Sequence, residues 1–176
     1  MNHEDHVALL APGVPGSGGT WADIGSGRGA FTLALAELVG STAVICSVDK
    51  DGAALRQQTQ RLAQRYPEVA IQPNIADFRQ PLDLPPLDGL VMANALHFIP
   101  RDEQARVVRH LRGYLRPGGR FLLVEYDTDR GNRWVPHPLS YVSWARLAQR
   151  CGFEHTERLA TVPSSFLGRF FSAASW

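Results

Sequence analysis

The sequence predicts an α/β fold, a three-layer αβα sandwich in which helices cover both faces of a mostly parallel, seven-stranded sheet. Short apolar runs rich in β-branched residues alternate with helical patterns from residue 20 almost to the C-terminus. Two further strand patterns close the chain and are joined too tightly for a helical crossover, so we expect them to pair antiparallel. With 176 residues and 44% hydrophobic content, the chain suits one domain.

Seven strand patterns define the expected sheet. The first five cover residues 20–23, 43–49, 69–73, 87–93 and 120–126, and the last two cover 153–159 and 166–172. Pro73 lies at the end of the third pattern. Because proline cannot donate a hydrogen bond to a ladder, we expect this strand at an edge of the sheet.

Helical patterns fill most of the intervals between the strands. They are expected over 30–39, from Asp51 as N-cap to a stop at Pro67, weakly over 77–84, from Pro100 to the residues before Pro117, and over 139–150. Residues 1–19 combine a short helical pattern over 6–10 with a run of prolines and glycines. We expect residues 1–19 to form a flexible N-terminal arm and residues 20–176 to form a single domain.

Composition argues against several classes of protein. The chain has 18 Lys+Arg against 17 Asp+Glu, a formal net charge of +1, so no general field favours nucleic acid or an anionic membrane. We find neither a signal peptide pattern nor a run of about 18 apolar residues, and we expect a soluble, cytoplasmic protein. Cys46 and Cys151 lack metal-ligand spacing and are expected to be free thiols, and no His, Asp or Glu cluster predicts a metal site.

The most informative motif is Asp23-Ile24-Gly25-Ser26-Gly27-Arg28-Gly29, which stands where the first strand ends and the first helix begins. Glycines here let the backbone turn tightly and approach a ligand, and free N–H groups at the helix N-terminus favour an anionic group. Asp49 ends the second strand pattern, where a carboxylate can accept hydrogen bonds from both hydroxyls of a ribose. Asp77 and Phe78 follow the third strand and suit the amine and one face of an adenine.

These motifs resemble those of the class I S-adenosylmethionine-dependent methyltransferases, in which an acidic residue is followed by glycines at every second position. Segments 88–94 and 115–121 are similar to that family's fourth strand and to its turn into the fifth. The resemblance implies the strand order 3-2-1-4-5-7-6 with the last strand antiparallel, and S-adenosyl-L-methionine as the cofactor.

The resemblance also implies roles for individual residues. Asp23 would lie under the methionine moiety, Gly25 and Gly27 would admit it, Asp49 would hold the ribose and Asp77 the adenine amine. The complete predicted cofactor set is Asp23, Gly25, Ser26, Gly27, Gly29, Asp49, Lys50, Asp77, Phe78 and Asn94.

The methyl acceptor is expected near the loop after the fourth strand. His97 lies in this loop, over 94–98, and is a candidate base because the unperturbed pKa of histidine lies near neutrality. The alternative is that His97 only packs at the lip of the pocket.

Polar residues at the end of the fifth strand form a second candidate region. We expect the acceptor to contact at least one of four residues, Glu125, Tyr126, Asp127 and Asp129. The alternative is that Glu125 and Tyr126 only complete the strand and that the two aspartates only solvate the loop. The exposed loop 132–138, which carries Trp134 beside a cation, is the leading candidate for acceptor recognition, the alternative being that Trp134 anchors the loop onto the helix behind it. The predicted acceptor residues are Tyr126, Asp127 and Trp134.

The sequence supports two hypotheses and a weaker third. The first is a methyltransferase acting on an oxygen, nitrogen or carbon of an unidentified small molecule. The second is a protein of the same fold that binds the cofactor, or once bound it, and works as a partner or regulator. The third, a nicotinamide-binding Rossmann domain, is disfavoured because the third glycine comes one residue earlier than in its fingerprint. If the pocket is open, either the acceptor is large, a second subunit supplies the cover, or residues 1–19 fold over the ligand, so a homodimer is left open.

Overall fold

The computed structural model describes residues 1–176 and contains one sheet of seven strands. The strands are β1 Gly19–Ile24, β2 Ala43–Asp49, β3 Ala70–Ile75, β4 Leu87–Ala93, β5 Leu115–Tyr126, β6 Thr156–Ser164 and β7 Gly168–Ser175. The helices are α1 His3–Leu10, α2 Ala30–Val39, α3 Gly52–Arg65, α4 Arg101–Arg112 and α5 Tyr141–Arg150. None of these helices is long and apolar enough to span a membrane.

The strand order is β3-β2-β1-β4-β5-β7-β6, which confirms the predicted fold class. β1 to β5 pair in parallel, while β7 runs antiparallel to both β5 and β6. The central strands are apolar on both faces, so they lie between two layers of helices. α1 and α2 cover one face, and α4 and α5 cover the other. β3 is an edge strand and carries Pro73, as predicted.

The last two strands begin later than predicted, by three residues for β6 and two for β7. Phe153 does not join β6; its ring packs edge-on against Phe121 at 5.8 Å between centroids. Phe166 lies in the turn before β7, where its N–H donates to the Ser164 hydroxyl oxygen at 3.2 Å. The predicted strands therefore began too early, because apolar residues next to each strand were counted as part of it.

No helix forms over residues 77–84, contrary to the prediction. Prolines at 81, 85 and 86 remove backbone donors from this segment and prevent a continuous helix. The segment instead makes a turn in which the Asp77 carboxylate accepts the backbone N–H of Arg79 at 3.0 Å. It then runs irregularly to β4, with Leu82 buried against the core.

The N-terminal residues are not a flexible arm, and that prediction is wrong. α1 begins with a capping box, in which Asn2 and Asp5 each accept a backbone N–H of the other. Leu9 and Leu10 are fully buried. Burial of a leucine stabilises a fold by about 1.5–3 kcal/mol, which is enough to order so short a segment. The prolines and glycines that suggested flexibility come after this packed helix.

Candidate active site

A crevice of about 380 Å³ opens at the carboxyl ends of β1, β2 and β4, where open α/β sheets bind ligands. It is lined by Gly25, Asp49, Lys50, Ala76, Asp77, Phe78, Arg79, Asn94, Ala95, Phe98 and Ile99. Six of the ten predicted cofactor residues are therefore brought together at one space. The other four lie in the glycine turn after β1 or beneath it.

Gly25 lies on the floor of the crevice. Its φ is +72°, a conformation that L side chains rarely adopt. A β-carbon at this position would lie 2.7 Å from the β-carbon of Ala95 and 3.4 Å from Cε1 of Phe78. Both of those residues line the crevice, so a larger residue here would fill space at the crevice floor.

Three backbone N–H groups of the glycine turn donate hydrogen bonds to acceptors within the chain. Gly25 and Ser26 donate to the carbonyl oxygen of Val48 at 2.8 and 3.1 Å, and Gly27 donates to a carboxylate oxygen of Asp49 at 2.8 Å. These three N–H groups are therefore not free, and the prediction of an anionic group at the helix N-terminus rests on the N–H groups that begin α2. The three groups instead join the turn to the tip of β2.

A buried polar network lies beneath the turn. Asp23 is 1% exposed and accepts a hydrogen bond from the Thr32 hydroxyl at 2.5 Å. Nε2 of Gln58 donates to the hydroxyl oxygens of Thr32 at 2.8 Å and Ser47 at 2.6 Å, and its Oε1 accepts from Ser26 at 3.1 Å. Burial raises the pKa of Asp23 to about 7, although the Thr32 hydrogen bond lowers it. The network ties β1, β2, α2 and α3 together.

Thr32 and Gln58 are residues of this region that the sequence motifs missed. A β-carbon on Gly29 would lie 2.4 Å from Cγ of Gln58, so the Gln58 side chain fills the space below the last glycine of the motif. One signal was present in the sequence. Asp23 ends an apolar strand, a buried acid needs a donor, and Thr32 is the only hydroxyl in the helix that follows.

Asp49 stands at the tip of β2 with both carboxylate oxygens fixed. Oδ2 accepts the N–H of Gly27 and Oδ1 accepts the N–H of Asp51, each at 2.8 Å. A carboxylate has about four lone-pair sites, so it retains capacity for further donors. The oriented group suits the predicted contacts with two ribose hydroxyls.

Asp77 is held by Arg79. Nε of Arg79 lies 3.0 Å from both carboxylate oxygens, and Nη2 lies 2.6 Å from Oδ2. The Arg79 hydrogen bonds lower the pKa of Asp77 to about 2. Arg79 lines the crevice and was not predicted as a site residue. Its guanidinium donates to both Asp77 oxygens, the atoms that the predicted adenine amine would meet.

Asn94 is the only non-glycine residue with a positive φ, at 52°. Its Oδ1 is buried and has no hydrogen-bond partner, and the residue lines the crevice. A buried oxygen without a donor costs about 1–3 kcal/mol, and strained backbone adds about 1 kcal/mol. Both features are typical of a site that accepts a donor from a ligand.

His97 and Glu125 form a buried pair beside the crevice. Nδ1 of His97 lies 2.8 Å from Oε2 of Glu125, and the His97 backbone N–H donates to Oε1 at 3.1 Å. The carboxylate favours the tautomer with the proton on Nδ1, which leaves Nε2 as an acceptor. Nε2 makes no hydrogen bond within the chain and is not fully sealed from solvent. The sequence identified both residues but not their pairing, which a buried acid in an apolar strand could have suggested.

The predicted acceptor residues are separated. The Tyr126 ring lies 6.1 Å from the His97 ring. The Asp127 carboxylate accepts from the N–H that begins α5 and from a guanidinium on β7, which gives it a structural role. Asp129 accepts from the residue that caps α5. Trp134 is 70% exposed and does not line the crevice.

The model of a family described as "Methyltransferase domain" matches residues 22–119, which is more than half of the chain and includes every residue that lines the crevice. The chain belongs to this family. The predicted membership of the S-adenosylmethionine-dependent methyltransferases is confirmed, and it assigns S-adenosyl-L-methionine to the methyltransferase domain as its cofactor.

The methyltransferase domain is similar to acetylserotonin O-methyltransferase of Mus musculus, with 33% identity over 141 residues, which cover 77% of this chain and 35% of that protein. The apo form of the S-adenosylmethionine-dependent methyltransferase SibL has the same fold, with a TM-score of 0.76 and 19% identity over 98% of this chain and 54% of that chain. A putative O-methyltransferase of Nostoc punctiforme gives a TM-score of 0.75 at 15% identity, covering 98% and 56%. The chain thus spans about a third of the curated relative and about half of these solved structures.

Proposed function

We propose that this methyltransferase domain transfers the methyl group of S-adenosyl-L-methionine to a small-molecule acceptor. The crevice carries the proposal. At the carboxyl ends of three neighbouring strands it combines two carboxylates, a glycine floor and an amide oxygen without a partner. A cytoplasmic setting and a homodimer stay predictions.

The residues present fit this cofactor. Asp49 would hold the ribose hydroxyls, and Phe78 would cover one face of the adenine beside Asp77. Gly25 leaves space for the methionine moiety, and the unpartnered Oδ1 of Asn94 would accept an N–H of its ammonium group. When bound, the cofactor supplies a methyl group on a sulfonium that is already activated.

The chain itself would position the acceptor and take a proton. Methyl transfer is an in-line displacement, so correct placement of the acceptor supplies much of the rate. His97 would accept the proton of a hydroxyl acceptor at Nε2, while Glu125 holds the ring through Nδ1. The name of the Mus musculus relative, an O-methyltransferase, supports oxygen as the acceptor atom.

Calorimetric titration tests the cofactor first. We expect S-adenosylmethionine and S-adenosylhomocysteine to bind, and NAD not to bind. Gly25→Ala should weaken both sulfur ligands, because its β-carbon would meet Ala95 at the crevice floor. Gly168→Ala is the matched control, since its φ is +76° and no atom lies within 4 Å of a β-carbon there. Circular dichroism of both variants separates lost binding from lost folding.

Transfer is then measured with a methyl-labelled cofactor and pools of hydroxylated small molecules. Incorporation of label into a hydroxylated product is the expected result. Binding of NAD but of neither sulfur compound would overturn the proposal. Cofactor binding without transfer to any pool would support the alternative, a partner or regulator of the same fold that binds the cofactor.

A further inference from the structure

A second cleft, of about 310 Å³, lies between α4 and α5. It is lined by three arginines, Arg101, Arg146 and Arg150, together with Gln104, Ser143 and two leucines, and is called the basic cleft below. None of these residues lines the crevice at the carboxyl ends of the strands. The basic cleft is therefore a separate space that the proposed methyl transfer does not use.

The positive charge of the basic cleft is largely unpaired. No acidic residue lines it. The arginines that lie within 4.0 Å of a carboxylate are Arg65, Arg79, Arg101, Arg106, Arg116 and Arg169. Arg146 and Arg150 are not among them, and both side chains are exposed. Their guanidinium groups are therefore free to bind an anion.

The stability of α5 does not explain this arrangement. Arg146 and Arg150 are four residues apart, so they lie side by side on the helix, and like charges at this spacing destabilise it. α5 has no acidic residue to offset the repulsion. Arg150 is in the last turn, where a cation interacts favourably with the helix dipole, but Arg146 is not. An anion held between the two would relieve the repulsion.

Arg101 supplies a third guanidinium from α4. Its Nη2 donates to the backbone carbonyl oxygens of Asp129 at 2.5 Å and Pro138 at 2.8 Å. The Asp129 carboxylate lies 4.0 Å from Nη1 and accepts the backbone N–H and the hydroxyl of Ser140. The carbonyl groups therefore hold Arg101 in place without neutralising its charge.

More arginines lie near the basic cleft. Burial raises the pKa of the Cys151 thiol, and the charges of Arg109, Arg150 and Arg112 oppose this rise. These three guanidinium groups are thus close enough to act on one thiol at the end of α5. Positive charge from both helices raises the local concentration of anions at the cleft.

We propose that the basic cleft binds a small ligand through a phosphate group. A phosphate monoester carries a charge of about −1.5 to −2 and three acceptor oxygens, and the planar guanidinium fork matches its geometry. A carboxylate offers only two oxygens and is met by one guanidinium, whereas three oxygens suit guanidinium groups that approach from two helices. The concave shape and small volume favour a small molecule over a large flat partner.

Three probes test the phosphate group. The protein is titrated by calorimetry, at constant ionic strength, with glycerol 3-phosphate, with inorganic phosphate and with glycerol. We expect both phosphates to bind and glycerol not to bind. Tighter binding of glycerol 3-phosphate would support an organic phosphate as the natural ligand, and tighter binding of inorganic phosphate would support the free ion.

Variants test the location. Arg146→Gln and Arg150→Gln should each weaken phosphate binding about three- to tenfold, because each removes one charge-assisted contact at an exposed site. The double variant should lose more than either. Arg56→Gln is the matched control, because Arg56 is exposed on α3, forms no ion pair and makes the same change in net charge. Circular dichroism of each variant excludes lost folding.

Four outcomes would overturn the proposal. Unchanged affinity in the double variant would place the phosphate elsewhere, including in the crevice. Equal losses in Arg56→Gln and in the cleft variants would show only a general effect of net charge. Displacement of phosphate by an equal concentration of chloride would show an adventitious ion only. Binding of a glutamate-rich peptide but of neither phosphate would make this face a contact surface for an acidic protein.

Discussion

Replacing Asp23 with asparagine should flatten the pH dependence of stability. Burial raises the pKa of Asp23 from 3.8 to about 7 in the folded protein. Between these values the folded chain keeps a proton that the unfolded chain releases, so the free energy of unfolding falls as pH rises, by about 1.4 kcal/mol per pH unit. Over the roughly three units of this window the loss is about 4 kcal/mol, and it is complete once pH passes the folded pKa.

The Asp23→Asn variant should lack this loss. Its side-chain oxygen still accepts the Thr32 hydroxyl, and the group cannot ionise. Urea unfolding between about pH 4 and pH 8 gives the free energy of unfolding for each protein. Asp83→Asn is the matched control, because this aspartate is exposed and its replacement should leave the slope unchanged. Parallel profiles for Asp23→Asn and the parent protein would show that the carboxyl group is ionised throughout, contrary to the argument from burial.

Three further substitutions, two of them paired with a comparison variant, test the glycine turn and its supports. Asp49→Asn should weaken S-adenosylhomocysteine binding by at least about tenfold, because a hydrogen bond to a charged group contributes about 1.5–3 kcal/mol. Unchanged affinity in a calorimetric titration would show that Asp49 does not contact the ligand. Gln58→Leu removes three hydrogen bonds and should lower the free energy of unfolding by about 1.5–4.5 kcal/mol, whereas Ser26→Ala removes one of them and should cost less. Gly29→Ala places a β-carbon against Gln58 at a residue whose φ is +80°. It should lower the free energy of unfolding by more than the roughly 1–2 kcal/mol that a left-handed backbone alone costs a non-glycine residue. Gly27 has a φ of +53° and no atom within 4 Å of a β-carbon, so Gly27→Ala should lower the free energy of unfolding only through backbone strain. Equal losses in Gly27→Ala and Gly29→Ala would rule out the contact with Gln58.

The order and type of most helices and strands could be predicted from the spacing of hydrophobic residues in the sequence. β4 matches its predicted bounds at both ends, because a mostly apolar run of seven residues lies between Pro86 and Asn94. The tips of β1 and β2 were predictable to within one residue, because the apolar run gives way to the glycine turn after β1 and to Asp49 at the end of β2. Asp49 is the clearest example, and the structure places it at the crevice.

The pairing of side chains was less predictable. Spacing shows which element carries Gln58, Glu125 or Arg79, but not which polar atom of another element each one meets. Gln58 reaches the glycine turn across 32 residues of sequence, and Glu125 reaches His97 across 28. The helical pattern over 6–10 was recognised, but its packing was not, because the prolines and glycines that follow it suggested a flexible arm while the core buries Leu9 and Leu10.

Asn94 lines the crevice and also affects the stability of the fold. Glycine would adopt the same backbone angle at no steric cost and would remove the buried oxygen that lacks a donor. A population selected only for survival at high temperature should therefore accumulate glycine at this position and lose ligand affinity as it does so. Under the proposed function, heat resistance and cofactor affinity would therefore compete at Asn94.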